Sequence, residues 1–422
     1  MPAIVNQRFT VPFKLSLSAA VFALGLLSMP AHAAPDQKIL GLATRAEGPA
    51  WKLVETLVNI DSGTFNEQGL NRVADIAADE LTRLGATVTR HPATPALGSN
   101  LVATLTGAGK GRILLVAHMD TVFPDGAAKE RPFHIADGRA YGPGVMDDKG
   151  GIVMGVYALK ILQQLGFKNY AKITFILNTN EETGSAGTRG LIASLAKEHD
   201  VALNLEPGRV ADGLVIWRKG SADVEVDVKG KAAHAGVAPD SGRNAAMEVA
   251  HQILQLGTLG DKQKQTTVNF TVLKAGERSN VIPDHAVAQG DVRAATSEEF
   301  DRVEKDLARL SQNKLIPDTE VKVTLKRSFP PMPQNPQSDA LAVRAQAIYG
   351  ELGRKLTLEG TGGAADSSLT AGAGTPSLDG FGIVGGGIHT PQEYAEVASM
   401  APRLYLLTRM LMDLGGGKPA AK

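Results

Sequence analysis

The chain has 422 residues, of which 44 are basic and 44 acidic, 43% hydrophobic and none cysteine. That length exceeds one typical hydrophobic core and suggests two domains. The balanced charge favours neither nucleic acid nor an anionic membrane as a partner, and the lack of cysteine excludes disulfides, thiolate ligands and a thiol nucleophile.

In chain order, Arg8 and Lys14 precede an apolar stretch over 15–29, and Ala31-His32-Ala33 follows. This is the pattern of a signal peptide spanning 1–33, with export to the periplasm or outside and no membrane association after cleavage. The stretch is short for a span of roughly 20 residues. Helical spacing of Trp51, Val54, Leu57 and Val58 predicts a helix over 36–60, and a second is expected over 70–84. Apolar runs at 101–105 and 113–117 read as strands, 150–165 as a helix, and 173–177 and 201–205 as strands. The alternation argues for an α/β sheet covered by helices.

The pattern changes after Trp217. Ala222, Val224, Val226 and Val228 alternate with polar residues, as a half-buried strand requires. A helix over 244–256, strands at 268–272 and 287–292, a helix over 297–310 with Ser297 as N-cap, and a strand at 321–325 follow. The order βαββαβ is an α+β, ferredoxin-like unit over 219–330, left through Pro330-Pro331-Met332-Pro333. Helix and strand signals resume after Asp339 and end in a helix over 393–414. His389 is needed by ligands near the N-terminus, so the small unit reads as an insertion into one discontinuous domain, 34–218 and 331–422. The tail from Gly415 reads as disordered.

The chemistry-bearing residues follow apolar strands. His118 and Asp120 follow 113–117, Asp147-Asp148 follows a Gly-Pro-Gly turn, Glu181-Glu182 follows 173–177, and Glu206 follows 201–205. His389 lies far downstream. Adjacent carboxylates at a strand end are costly unless a cation holds them. Imidazole and carboxylate ligands suit zinc, although cobalt or manganese would fit the same set. Two metals need about five ligands and one carboxylate left free as base. His118, Asp147, Glu182, Glu206 and His389 supply the ligands, with Asp147 able to bridge. Asp120 can hold the His118 ring from behind. Glu181 remains as the base that moves a proton from water to the leaving nitrogen.

The motifs His118-Met119-Asp120-Thr121-Val122, 142–150 (GPGVMDDKG) and 178–185 (NTNEETGS) resemble those of the co-catalytic dizinc metallopeptidases, which include bacterial glutamate carboxypeptidase, aminoacylase and succinyl-diaminopimelate desuccinylase. The folate-cleaving glutamate carboxypeptidase is the nearest in its motifs. The resemblance covers nearly the whole mature chain. It implies a zinc-exopeptidase-like catalytic domain, two zinc ions per subunit and a homodimer through the inserted domain. It places His118 and Glu206 on one zinc, Glu182 and His389 on the other, Asp147 between them, and a cis peptide between Asp147 and Asp148.

By the same resemblance, His234 in Gly230-Lys231-Ala232-Ala233-His234-Ala235-Gly236 steadies the oxyanion in a partner subunit's site. Asn280 and Arg293 lie near the substrate's terminal carboxylate, which an Arg fork suits. Gly362 and Gly363 let the substrate backbone approach. Arg293 could equally pair with Asp291 or Asp284. One departure concerns specificity: the basic residue that reads a glutamate side chain in the relative is matched by Gly213, with Arg218 and Lys219 nearby.

The reading is an exported zinc carboxypeptidase that acts on substrates with a free C-terminal carboxylate, glutamate foremost. An N-acyl-amino-acid deacylase or a dipeptidase with the same chemistry is the alternative. A non-catalytic periplasmic binding protein is less favoured, because a pure binder needs no general base.

Overall fold

The computed structural model describes residues 33–417. The expected signal peptide, all but Ala33, and residues 418–422 of the expected disordered tail lie outside the described residues. Gly415 does not belong to such a tail: it ends a helix, and its carbonyl accepts the Gly111 N–H at 2.9 Å. No helix among the described residues is long and apolar enough to cross a membrane.

A six-stranded sheet runs, in spatial order, Thr87–Pro92, Ser99–Thr106, Lys172–Asn178, Arg112–His118, Val201–Asn204 and Ser377–Leu378. The last four strands are mutually parallel. Side chains alternate between the faces, as the two-residue period demands. Ile113, Leu115 and Ala117 join a core beneath the helices Gln37–Val58, Glu67–Arg83, Lys149–Gln164 and Met400–Gly415. Leu114 and Val116 face the other way, against Ile192, Ala196 and Leu369 of the helices Arg189–Lys197 and Asp366–Gly372. Both faces of the parallel strands are therefore buried, which explains their near-continuous apolar sequence.

A second sheet of four antiparallel strands runs Thr267–Ala275, His285–Ala294, Gly220–Lys229 and Glu320–Phe329. Val224, Val226 and Val228 are fully buried against Val249 and Leu256 of the helix Ala245–Leu256 and Phe300 and Val303 of the helix Ser297–Leu310. In chain order this is βαββαβ with its own apolar core. The α/β fold with an α+β insertion is the class read from the sequence.

Two boundaries differ. The N-cap of the helix Ser297–Leu310 is Thr296, whose hydroxyl accepts the Glu299 N–H. Both residues carry a suitable hydroxyl, and the extended backbone falls on Thr296. The final helix starts at Met400, not 393, because Tyr394–Glu396 pairs as a strand with Arg139–Tyr141. Strand pairing there overrides the local helical preference of the segment.

Candidate active site

The parallel strands deliver the candidate residues from their carboxyl ends, where open α/β sheets place their sites. His118 is the last residue of Arg112–His118. Asn178 ends the neighbouring strand, and the chain turns at once into the short 3₁₀ segment Glu181–Thr183. Val201–Asn204 leads to Glu206, and Ser377–Leu378 to Asp379. The segment before the helix Lys149–Gln164 brings Asp147 and Asp148, joined by a cis peptide. Gly151 is needed there, since a Cβ would lie 1.9 Å from Asp148 Oδ1. His389 arrives on a loop in the left-handed region, with φ 63°, which non-glycine residues adopt uncommonly.

The carboxylate of Asp147 faces two imidazoles. Its Oδ1 lies 3.1 Å from His118 Nε2 and its Oδ2 3.3 Å from His389 Nε2. His118 Nε2 is 3.5 Å from Glu206 Oε1, and His389 Nε2 is 3.1 Å from Glu182 Oε2. His118 Nδ1 lies 3.0 Å from the Asp120 carbonyl oxygen and 3.3 Å from its carboxylate. Donation of Nδ1–H to that carbonyl leaves the Nε2 lone pair facing Asp147 and Glu206. Asp120 in turn accepts the Glu181 and Glu182 N–H groups at 3.0 and 3.2 Å and the Thr64 hydroxyl at 2.7 Å. One carboxylate thus fixes both the ring and the two-glutamate turn.

Donor atoms of His118, Glu181 and Glu206 lie within 4.8 Å of one another, as do those of His118, Asp147 and Glu182. Proximity alone does not divide ligands from base. Glu206 pairs with His118 and Arg218 and Glu182 with His389, whereas the Glu181 carboxylate has neither a hydrogen bond nor an ion pair among the described residues.

The electrostatics test whether cations fit here. Burial pushes Glu181, Glu182 and Glu206 above the usual carboxylate range, and neighbouring carboxylates add to it. Asp147 and Glu182 hold His389 up at about 10. Burial opposes the His118 imidazolium, but Asp120 and Asp147 outweigh it and keep that ring well above its ordinary value. The cluster takes up protons wherever no other positive charge neutralises it. A set of imidazole and carboxylate donors with this surplus of negative charge fits a divalent metal.

Three supporting groups escaped sequence reasoning. Glu393 is buried, and its carboxylate accepts the N–H groups of Gly144, Met146 and Asp147 at 3.0, 2.9 and 3.0 Å. Its nearness to His389 was the only sequence signal. Asp379 is buried and paired at 2.6 Å with Arg218 Nε. Thr64 ties an N-terminal loop to Asp120.

Arg218 is not a free recognition group. Its fork reaches Asp379, the Gly363 carbonyl at 3.2 Å and Glu206 at 3.8 Å. Gly213 does not mark a recognition position either. It opens the strand Gly213–Arg218, about 16 Å from Arg218 at the usual rise, and a Cβ there would lie 2.1 Å from Thr357 Oγ1.

Of the residues expected from the inserted unit, His234 and Asn280 lie together, Arg293 lies near the other end of the strand His285–Ala294, and none joins the groups of candidate ligands. His234 pairs across two short strands with Val281, and Asn280 O accepts the Ala235 N–H at 2.9 Å. His234 Nδ1 accepts the N–H groups of Gly236 and Val237, each at 3.2 Å. The proton is thereby directed to Nε2. Arg293 Nε donates to both oxygens of Asp291, at 2.9 and 3.0 Å. Gly362 and Gly363 are exposed, and a Cβ at Gly362 would meet nothing within 4 Å.

Residues 114–413 match the family described as Peptidase family M20/M25/M40. Carboxypeptidase G2 of Pseudomonas sp. (strain RS-16) is 38% identical over 405 residues, 95% of this chain and 98% of that protein. Succinyl-diaminopimelate desuccinylase of Methylobacterium radiotolerans is 26% identical over 410 residues, 91% of this chain and 98% of that protein. Among solved structures, a tripeptidase from Staphylococcus aureus shares the fold with a TM-score of 0.73 at 24% identity, over 87% of this chain and 98% of that one.

Proposed function

The chain belongs to peptidase family M20/M25/M40 and is a metallopeptidase or amidohydrolase of the carboxypeptidase kind, and from that premise we propose an exported, dizinc carboxypeptidase. It hydrolyses the amide bond to a C-terminal amino acid, glutamate foremost, in folate-like, N-acyl or peptidyl substrates. The observation that carries the reading is Asp147, whose two oxygens face His118 and His389 separately.

In this reading His118 and Glu206 would hold one zinc and His389 and Glu182 the other, with Asp147 available to both. Bound there, the metal would supply Lewis acidity to water and to the scissile carbonyl. Asp120 orients His118. Glu181 removes a proton from the attacking water and delivers it to the leaving nitrogen. His234, with its proton on Nε2, donates to the oxyanion in a partner's site. Asn280 and Arg293 take the terminal carboxylate once Arg293 exchanges Asp291 for substrate, and Gly362 and Gly363 border the substrate backbone. Residues 34–218 and 331–422 form the catalytic domain, and 219–330 the dimerisation and lid domain of a homodimer. Export rests on the N-terminal charge, apolar stretch and Ala-x-Ala pattern.

A second reading, an N-acyl-amino-acid deacylase or dipeptidase with the same chemistry, is favoured by Arg218, whose bonds to Asp379 and the Gly363 carbonyl leave it unavailable to a glutamate side chain. Hydrolysis of folate and methotrexate beside N-acetyl-methionine, with and without chelator, separates the two. Chelator-sensitive release of glutamate supports the carboxypeptidase. Cleavage of the methionine conjugate alone supports the deacylase. Tight binding without turnover in the zinc-loaded protein supports a binding protein.

A further inference from the structure

The Glu181 carboxylate, unbonded among the described residues, stands where the backbone of its turn puts it. Asp120 holds the head of that turn through the Glu181 and Glu182 N–H groups. Its base is held by a carboxylate that the proposed mechanism does not use. Asp366 is 1% exposed; its Oδ1 accepts the Ser185 hydroxyl and its Oδ2 the Asn178 side-chain amide at 2.8 Å. Asn178 and Ser185 flank the segment 179–184 that carries the two glutamates. The Asn178 amide also donates to Ser185 Oγ at 2.8 Å, so three buried side chains close a ring of hydrogen bonds in which every donor is used. The ring extends into the turn itself: Asn178 Oδ1 accepts the Asn180 N–H at 3.0 Å, and the Ser185 N–H donates to the Asn180 carbonyl at 2.8 Å.

Two features set Asp366 apart from a packing residue. Among the described residues its carboxylate bonds only to Ser185 and Asn178 and has no ion pair. A buried carboxylate without a cation is costly, and all that this one secures is the segment between those two residues. Asp366 also follows Gly362 and Gly363 closely, and the Gly363 carbonyl is itself held by Arg218 at 3.2 Å. The loop that borders substrate in the reading above and the turn that carries the base are thus joined through one side chain.

We propose that Asp366 is a positioning residue for Glu181: by holding Asn178 and Ser185 it sets where the base stands relative to the candidate ligands. The proposal rests on the reading of Glu181 as general base and names the group through which that base is placed.

The test compares the wild type with Asp366→Asn, Ser185→Ala and the double variant, all zinc-loaded. Asparagine keeps the shape of Asp366 but offers one acceptor where two donors each need one. Hydrogen–deuterium exchange over 178–188, read by mass spectrometry, rises in each variant, while zinc content and exchange elsewhere match the wild type. On methotrexate and N-acetyl-methionine, kcat falls about 30-fold with KM within about threefold, because a displaced base slows the reaction without loosening the substrate. The two single losses do not multiply in the double variant, since both break one ring. Unchanged exchange over 178–188, an unchanged kcat, single losses that multiply, or a loss of kcat that follows lost zinc would each overturn the proposal. If Asp366→Asn does not fold, Ser185→Ala, which deletes one hydroxyl, decides by the same readouts. A wild type that hydrolyses neither substrate counts against the hydrolase reading alone, and exchange over 178–188 still decides whether Asp366 holds the turn.

Discussion

Glu393 grips the backbone of Asp147: its Oε1 accepts the Asp147 N–H at 3.0 Å while the same carboxylate holds the N–H groups of Met146 and Gly144. Burial, with Asp147 nearby, pushes Glu393 up to about 7. A buried carboxylate spent on three amides is a device for fixing where Asp147 points. Glu393→Ala strands those N–H groups, at a cost of about 3 kcal/mol. The expected outcome is a lower Tm and fewer than two metals per chain at zinc concentrations that saturate the wild type, read by elemental analysis. Full metal content in the variant would remove Glu393 from the positioning of Asp147.

Glu181→Gln keeps the size of the side chain and the backbone bond to Asp120 while removing the proton acceptor. Metal content and folding should match the wild type, and kcat should fall by about 10³-fold. Activity within tenfold of the wild type would show that another group takes the proton.

Arg218 spans Glu206, Asp379 and the Gly363 carbonyl. Asp379 is fully buried, so Arg218→Met leaves a carboxylate without its cation and should destabilise the fold by about 3–5 kcal/mol. Arg218→Lys keeps the charge but cannot reach three partners, so it should recover most of the stability and less of the metal affinity. Equal recovery of both would reduce Arg218 to a structural charge.

His199 gives a pH dependence remote from the cluster. Its ring lies 2.6 Å from the Leu195 carbonyl through Nδ1 and 2.9 Å from the Thr174 hydroxyl through Nε2. Burial, with Lys172 and Arg112 near and Glu198 opposing them, lowers it from 6.5 to about 4. The folded value is depressed, so the unfolded chain binds the extra proton between these two pH values. The contribution is complete above pH 6.5 and is lost as pH falls toward 4, by at most about 3 kcal/mol. Urea denaturation of wild type and His199→Gln at pH 7.5 and 4.5 reads it as a gap in stability that narrows at the lower pH. A gap independent of pH would mean that the ring is neutral in neither state or both.

The order of strands and helices was legible because each buried strand is continuously apolar and each element of the inserted unit carries its own period. The nearness of His118, Glu182 and Glu206 was legible because each follows a buried strand within a few residues, whereas Asp147 and His389 arrive on a turn and a loop. What escaped depends on contacts distant in sequence. Glu393 resembles the start of a helix until its carboxylate is seen beneath Asp147. Arg218 looks available until Asp379 is brought beside it. Gly213 looked like a lost recognition residue, but Thr357 on the neighbouring strand leaves room for no side chain there. No local pattern encodes any of these three neighbours.

His234 lies outside both groups of candidate ligands. Its Nδ1 is occupied by two backbone N–H groups, so the exposed Nε2–H is a preset donor with no acceptor in its own chain among the described residues. If it acts in a partner's site, His234→Ala lowers kcat and leaves metal content intact. A stronger consequence concerns mixtures. Glu181→Gln and His234→Ala proteins are each expected to be nearly inactive. In a heterodimer, the subunit that retains Glu181 meets the partner's intact His234, while the other site lacks both. With equal amounts and free subunit exchange, half the dimers are mixed and one of their two sites works, so activity should return to about a quarter of wild type. A mixture no more active than its parts, under conditions where labelled subunits demonstrably exchange, would place His234 in its own chain's site or outside catalysis.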